Sequence, residues 1–324
     1  MSAFIASLPT LGRQGLARHG FLAVVAVCFV GFAVANPSFV GGANLVNILS
    51  GAVIPLIVGL GMTLVVALGA IDLSVGIALD FGSAFAIVVL KDYGAAWYLA
   101  VLIGIAGGAV IGLANAVLIV RLRISPFLAT LGTFFIGGSL QRIFTHGGGP
   151  ISYRRLPPEY YDIAVGEVFG IPIRILIAAT LLIAYFLLLE RSTFGKKIHS
   201  IGLQSRAARV AGLPVGRLVA IGFVLAGATA AVGGLVASAN LRMFTPLAGN
   251  AYLMDAIAAV FIGASMHRDG RPNVLGTLTG VLFLSMVANG LNLMGLDFNL
   301  KDALSGLILV AALALSIIQH RRRT

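Results

Sequence analysis

ERSTFGKKIHSIGLQSRAARVAGLPVGR, residues Glu190 to Arg217, is a polar island in an apolar chain. Six basic residues (Arg191, Lys196, Lys197, Arg206, Arg209, Arg217) stand there against one acid, Glu190. Inside it, Gln204 to Gly212 places helix formers around Ala207 and Ala208 and closes on Gly212, Leu213 and Pro214, a helix-ending sequence. The spacing predicts a short helix of about three turns or fewer, marginal by itself and in need of something to hold it.

Outside the island the composition describes a chain dissolved in lipid. The 324 residues are 59% hydrophobic and 10% charged, with a mean hydropathy of +1.03; soluble domains carry about 25% charged residues. Ten apolar runs are predicted as spans: Phe21–Ala35, Ala52–Leu68, Leu73–Leu90, Trp97–Val120, Ile124–Phe144, Ile171–Leu189, Leu218–Asn240, Tyr252–Met266, Val274–Met294 and Ala303–Gln319. The eighth, about 22 Å of helix against a hydrocarbon core of about 30 Å, is expected to be short or broken. The first also has the outline of a secretory signal, with basic Arg13 and Arg18 before it and Ala33, Val34, Ala35 at its end. The run leads into further spans, so an uncleaved anchor is the preferred reading.

Alternating ten spans from a cytoplasmic amino terminus (residues 1–20) tests the charge distribution. The breaks assigned to the cytoplasm hold 15 basic and three acidic residues, and those on the other side seven basic and six acidic. The net charge of +11 is therefore read as a positive-inside topology signal and not as a nucleic-acid surface. The expected fold is an all-α integral membrane protein, one permease domain over residues 1–324. Residues 190–217 form its cytoplasmic loop and 145–170 its outer loop. Five spans followed by five enter the membrane from opposite sides, as in inverted repeats that enclose a pathway.

Chemistry is sparse. Cys28 is alone, and the five histidines (His19, His146, His199, His267, His320) lie in or beside polar breaks, so no metal centre is expected. There is no Gly-x-x-x-x-Gly-Lys-Ser/Thr and no nucleophile with its base, so neither nucleotide binding nor catalysis is expected of this chain, and the catalytic and metal residue sets are empty.

Several segments carry a resemblance. Arg206, Ala207, Ala208, three residues and Gly212 reproduce the spacing of the Glu-Ala-Ala-x-x-x-Gly loop of ATP-binding-cassette importer permeases, with Arg at the Glu position. In order along the chain, GMTLVVALGAIDLSVG (Gly61–Gly76), ISPFLATLGT (Ile124–Thr133), TFGKKIHSIG followed by AARVAGLPV, MDAIAAVFIGAS (Met254–Ser265) and NGLNLMG (Asn289–Gly295) resemble segments of the ribose-type sugar importer permeases. The resemblance covers about Asn44 to Ile318 and implies a ten-helix permease of the bacterial inner membrane, with membrane lipid around it. It implies four partners: a second permease subunit, a cytoplasmic ATPase that holds ATP and Mg, a periplasmic sugar-binding protein and a sugar substrate. Ser205, Arg206, Ala207, Ala208, Arg209 and Gly212 would then form the coupling helix that docks on the ATPase. The sequence departs from the family at Arg206 and in the turn Gly263–Asp269.

Polar groups inside the spans are the pathway candidates. Asp72 and Ser74 lie near a helix start, where a cap and a gating role are both open. Asp255 shares that ambiguity. Asp80 lies mid-span with no cap to make and would cost about 3 kcal/mol facing lipid, so it must face protein or water. Neutral sugars are held by hydrogen bonds and apolar ring faces, which adds Thr63, Asn115, Thr130, Phe134, Asn240, Asn289 and Asn292. Arg154, Arg155, Glu159 and Asp162 on the outer loop are candidate contacts for the binding protein. A second reading, an ion-gradient transporter, would use Asp80 and Asp255 as proton or cation sites.

Overall fold

A computed structural model describes residues 10–267, 269–295, 300, 303, 304, 306, 307 and 310; of residues 10–20, 22 and 23 it describes the backbone alone. The helices are α1 (Thr10–Ala35), α2 (Gly42–Ala67), α3 (Val75–Tyr93), α4 (Trp97–Ala116), α5 (Pro126–Phe144), α6 (Pro158–Val165), α7 (Ile173–Phe186), α8 (Thr193–Val210), α9 (Val215–Leu241), α10 (Gly249–Met266) and α11 (Val274–Leu293). Short π-helical turns, Val117–Arg121 and Leu187–Arg191, prolong α4 and α7. The protein is an all-α membrane protein whose described residues include seven helices long and apolar enough to cross a bilayer: α2, α4, α5, α7, α9, α10 and α11. The tenth predicted run lies largely outside the described residues, as do the arginines near the carboxyl terminus.

Glycine determines how closely the helices approach. A Cβ on Gly108 of α4 would meet the Gly227 carbonyl of α9, and one on Gly227 would meet the Gly108 carbonyl, so the two backbones touch. Gly234 of α9 faces the Leu79 carbonyl of α3 in the same way. Without a hydrophobic force between helices in lipid, such contacts supply van der Waals attraction over long backbone stretches. They make α9 the hub against which α2, α3 and α4 pack. Of the seven apolar helices, α2 is the most enclosed, with 78% of its apolar stretch buried, and α7 the least, with 17%.

Two differences from the sequence reading are physical. The eighth element is not broken: α10 begins at Gly249 and runs unbroken for 18 residues, about 27 Å. Its extra turn is hidden in the sequence because Gly249 and Asn250 read as loop residues. Asp255 consequently sits nearly two turns inside α10 and has no helix start to cap.

The loop between α5 and α7 also carries structure. α6 is fastened by Tyr160, whose hydroxyl lies 2.8 Å from Ser238 Oγ on α9, and by Arg242 stacked 4.0 Å over the Tyr161 ring. Strand β1 (Ile151–Ser152) pairs antiparallel with β4 (Met243–Phe244), and β2 (Glu167–Val168) with β3 (Ile171–Pro172).

Candidate functional site

Four of the pathway candidates converge on one another. The chain between α2 and α3 turns so that Asp72 Oδ1 accepts hydrogen bonds from the Ser74 amide (2.8 Å) and the Ser74 hydroxyl (2.6 Å). Asn115 of α4 donates to Ser74 Oγ at 2.6 Å, and Thr133 of α5 donates to Asn115 Oδ1 at 2.7 Å. Thr130 donates to the Ile71 carbonyl at 3.3 Å. All five side chains are buried. The result is a knot joining the α2–α3 turn, α4 and α5, with Asp72 Oδ1 and Asn115 Oδ1 both accepting from within it. Thr133 was missed in the sequence; a Thr one turn after Thr130 was the available signal.

Asp80 is a helix cap after all, for a different helix. Its carboxylate accepts the Gly249 amide at 2.8 Å, at the amino-terminal end of α10, where an anion meets free N–H groups and a positive dipole end. Gln141 of α5 supports the same turn by accepting the Leu247 amide at 2.8 Å. Gly249 and Gly76 are in backbone contact, so α3 holds the start of α10 at two adjacent points. Asp80 is 1% exposed, enclosed between these elements.

The remaining candidates separate. Thr63 of α2 lies 2.6 Å from Thr277 of α11, both buried. Phe134 meets Phe135 edge-on and packs against the cluster of Met62 and Ile77, and Asn240 is exposed at the end of α9. Asn289 exchanges hydrogen bonds with Asn44 of α2 at 2.9 and 3.0 Å. Beside that pair opens a cavity of about 710 Å³ between α2, α10 and α11, its polar lining including Asn47, Asp255, Ser285, Asn289 and Asn292. A volume in the 300–1,000 Å³ class, apolar walls and a few convergent amides are what a small polar solute requires.

The island divides in two. Ser192 caps α8, accepting the Gly195 amide at 3.2 Å, which starts the helix earlier than the sequence suggested. Gln204 (φ −157, ψ 87) breaks it. The half before the break is seated: Gly202 touches the Ala67 carbonyl at the end of α2, and the His199 ring lies 3.4 Å from the Pro272 carbonyl ahead of α11. Glu190 accepts the Val274 amide at 3.2 Å, the second acid of the chain that holds the start of another helix. The half after the break, Ser205–Val210, turns Ser205, Arg206, Ala207 and Arg209 outward, leaves Val210 91% exposed and buries Ala208. Gly212 (φ +83) closes it, with the Leu213 amide donating to the Ala208 carbonyl at 3.0 Å. Arg154, Arg155, Glu159 and Asp162 are all exposed, before and along α6.

Apolar helices bundled through glycine, a solute-sized cavity and a projecting polar foot define a multi-pass membrane permease. The chain belongs to the family described as branched-chain amino acid transport system / permease component, which it matches over residues 44–313. It is 32% identical over 280 residues to the ribose import permease protein RbsC of Bacillus subtilis (strain 168), covering 86% of each chain. It is 30% identical to that of Escherichia coli (strain K12), with the same coverage. It is also 30% identical to the autoinducer 2 import system permease protein LsrD of Yersinia enterocolitica, over 82% of this chain and 81% of the relative. The resemblance to ribose-type importer permeases read from the sequence is borne out by these relatives.

Proposed function

We propose that this chain is the permease subunit of an ATP-binding-cassette importer that passes a monosaccharide or related polyol across the bacterial inner membrane. The observation that carries the reading is the foot Ser205–Val210. A surface segment that turns Arg206, Ala207, Arg209 and Val210 outward, while Ala208 fixes it to the core, is built to be gripped by another protein. The partner is a cytoplasmic ATPase that keeps ATP and Mg to itself. A periplasmic binding protein would deliver the sugar to the exposed Arg154, Arg155, Glu159 and Asp162. The relatives' names, ribose and autoinducer 2 import permeases, favour a small polyhydroxylated cargo.

In this reading the pathway includes the cavity beside Asn289 and Asn292, completed by a second permease subunit. Ten spans in a five-plus-five arrangement, with both termini cytoplasmic, fit the charge balance. Nucleotide-driven movement of the foot reaches the cavity through the seated half of α8, because α8 touches the end of α2 and the residues ahead of α11, and both helices line the cavity.

The test is reconstitution with the partner ATPase and binding protein. Ala207→Trp, on the exposed face, is expected to leave the thermal midpoint unchanged and to abolish ATP-driven uptake. Ala208→Trp is expected to destabilise the protein itself. Uptake that persists in Ala207→Trp, or that needs a membrane potential and no ATP, would sink the proposal.

A further inference from the structure

The hairpin between α6 and α7 presents a feature that the transport reading does not use. Strands β2 and β3 are joined by the two-residue turn Phe169–Gly170, with φ of 53° and 76°. Two-residue turns of this kind ask for positive φ, which glycine gives freely and a bulky aromatic residue adopts only at a cost. Phe169 nevertheless occupies the first position, and it is 100% exposed. Around it Val165, Val168 and Ile171 are also exposed, so an apolar tip stands clear of the other described residues.

Its position identifies what covers it. The hairpin leads directly into the helix Ile173–Arg191, whose 19 residues span about 28 Å, close to the hydrocarbon thickness of a bilayer. That helix is the least enclosed of the seven, with 17% of its apolar stretch buried, so its flank faces lipid. With Glu190 and Arg191 marking one membrane boundary, the residues just before Ile173 fall at the other. Arg174, half-buried, lies in the first turn of α7, next to that boundary. Aromatic side chains and snorkelling cations are favoured at that level.

We propose that the hairpin Glu167–Pro172 is a membrane-surface anchor, with Phe169 inserted at the boundary between phospholipid headgroups and acyl chains. It would hold the outer end of α7 and the neighbouring α6 at a fixed height on the bilayer. The inference needs only that the protein spans a membrane and is independent of the cargo.

The chain has a single tryptophan, Trp97, which makes a direct test possible. In the Trp97→Phe/Phe169→Trp protein, reconstituted in phosphatidylethanolamine–phosphatidylglycerol vesicles, the emission is expected to be blue-shifted relative to tryptophan amide. It should be quenched more by lipid brominated near the headgroup than by lipid brominated near the chain end, and little by aqueous acrylamide. Full acrylamide quenching with no bromine effect would overturn the proposal. Shielding that appears only when another protein is added would overturn it in favour of a protein contact. If the double variant does not fold, Cys28→Ala/Phe169→Cys carrying a nitroxide reads the same depth, as higher collision rates with oxygen than with an aqueous nickel chelate; the reverse ratio overturns the proposal.

Discussion

The knot around Asn115 and the cavity beside Asn292 are made from the same few residue types, yet they stand in opposite relations to their surroundings. In the knot Asp72 Oδ1, Ser74, Asn115 and Thr133 are bonded to one another in a continuous chain of side chains. At the cavity Asn47, Ser285 and Asn292 line open volume between three helices. A polar group within the membrane spans can therefore serve as glue, buried against other side chains, or as lining, turned to open volume. The knot should answer to substitution with stability, the cavity with transport.

The largest effect is expected at Asn115. Asn115→Leu removes the donor to Ser74 and the acceptor for Thr133 at once, and buried orphans cost about 1–3 kcal/mol each. A strongly lowered thermal midpoint in detergent and poor recovery of folded protein should follow. If instead the protein stayed stable and only uptake changed, the knot would be a pathway element and the contrast would fail.

Asp80 sharpens the contrast at the next level. Asp80→Leu leaves the Gly249 amide without its partner at the end of α10, a loss of about 1–3 kcal/mol read by the same midpoint. Asp80→Asn retains the Oδ1 acceptor and is expected to recover more than half of that loss. Equal damage from both variants would mean that the charge, and not the cap, matters.

These sites also show what the sequence could and could not reveal. Seven of the predicted spans, those now seen as α2, α4, α5, α7, α9, α10 and α11, were legible because apolar runs of about 20 residues bounded by Arg, Lys, Asp and Gly have few other physical solutions. The foot was legible because a Gly able to take positive φ, followed closely by Pro, is a helix-ending sequence, and Gly212 and Pro214 supply it. The start of α10 was not, since Gly249 and Asn250 are poor helix formers and its first turn is held by Asp80, Gly76 and Gln141, all far away in the chain. Nor could Asn115 be told from Asn292, as both are amides in apolar runs. The separating fact is which helix faces which, and with lipid and protein equally apolar, periodicity carries little of it.

A smaller effect is expected where the island meets α11. Glu190→Ala takes the acceptor from the Val274 amide, but that amide is only partly buried, so the cost in stability should be about 1 kcal/mol or less. If the seated half of α8 transmits movement, the more telling result is uncoupling: ATP hydrolysis by the reconstituted complex persists while uptake per ATP falls. Glu190→Gln, which retains an acceptor, should restore part of the coupling. Proportional loss of both activities would instead make Glu190 a general support.

At the cavity the change in stability should be the smallest of all. Asn292 is exposed to the open volume, and replacing an exposed polar residue typically moves stability by no more than about 0.5 kcal/mol. Asn292→Leu is therefore expected to leave the thermal midpoint in place and to lower ATP-driven uptake, because an apolar side chain cannot exchange hydrogen bonds with a hydroxylated solute passing through. Asn289→Leu provides the internal comparison. Asn289 lines the same space but also exchanges hydrogen bonds with Asn44, so its loss should register in both stability and uptake. A cavity that tolerated Asn292→Leu with unchanged uptake would not be on the route, and the pathway would have to be sought on another face of α2.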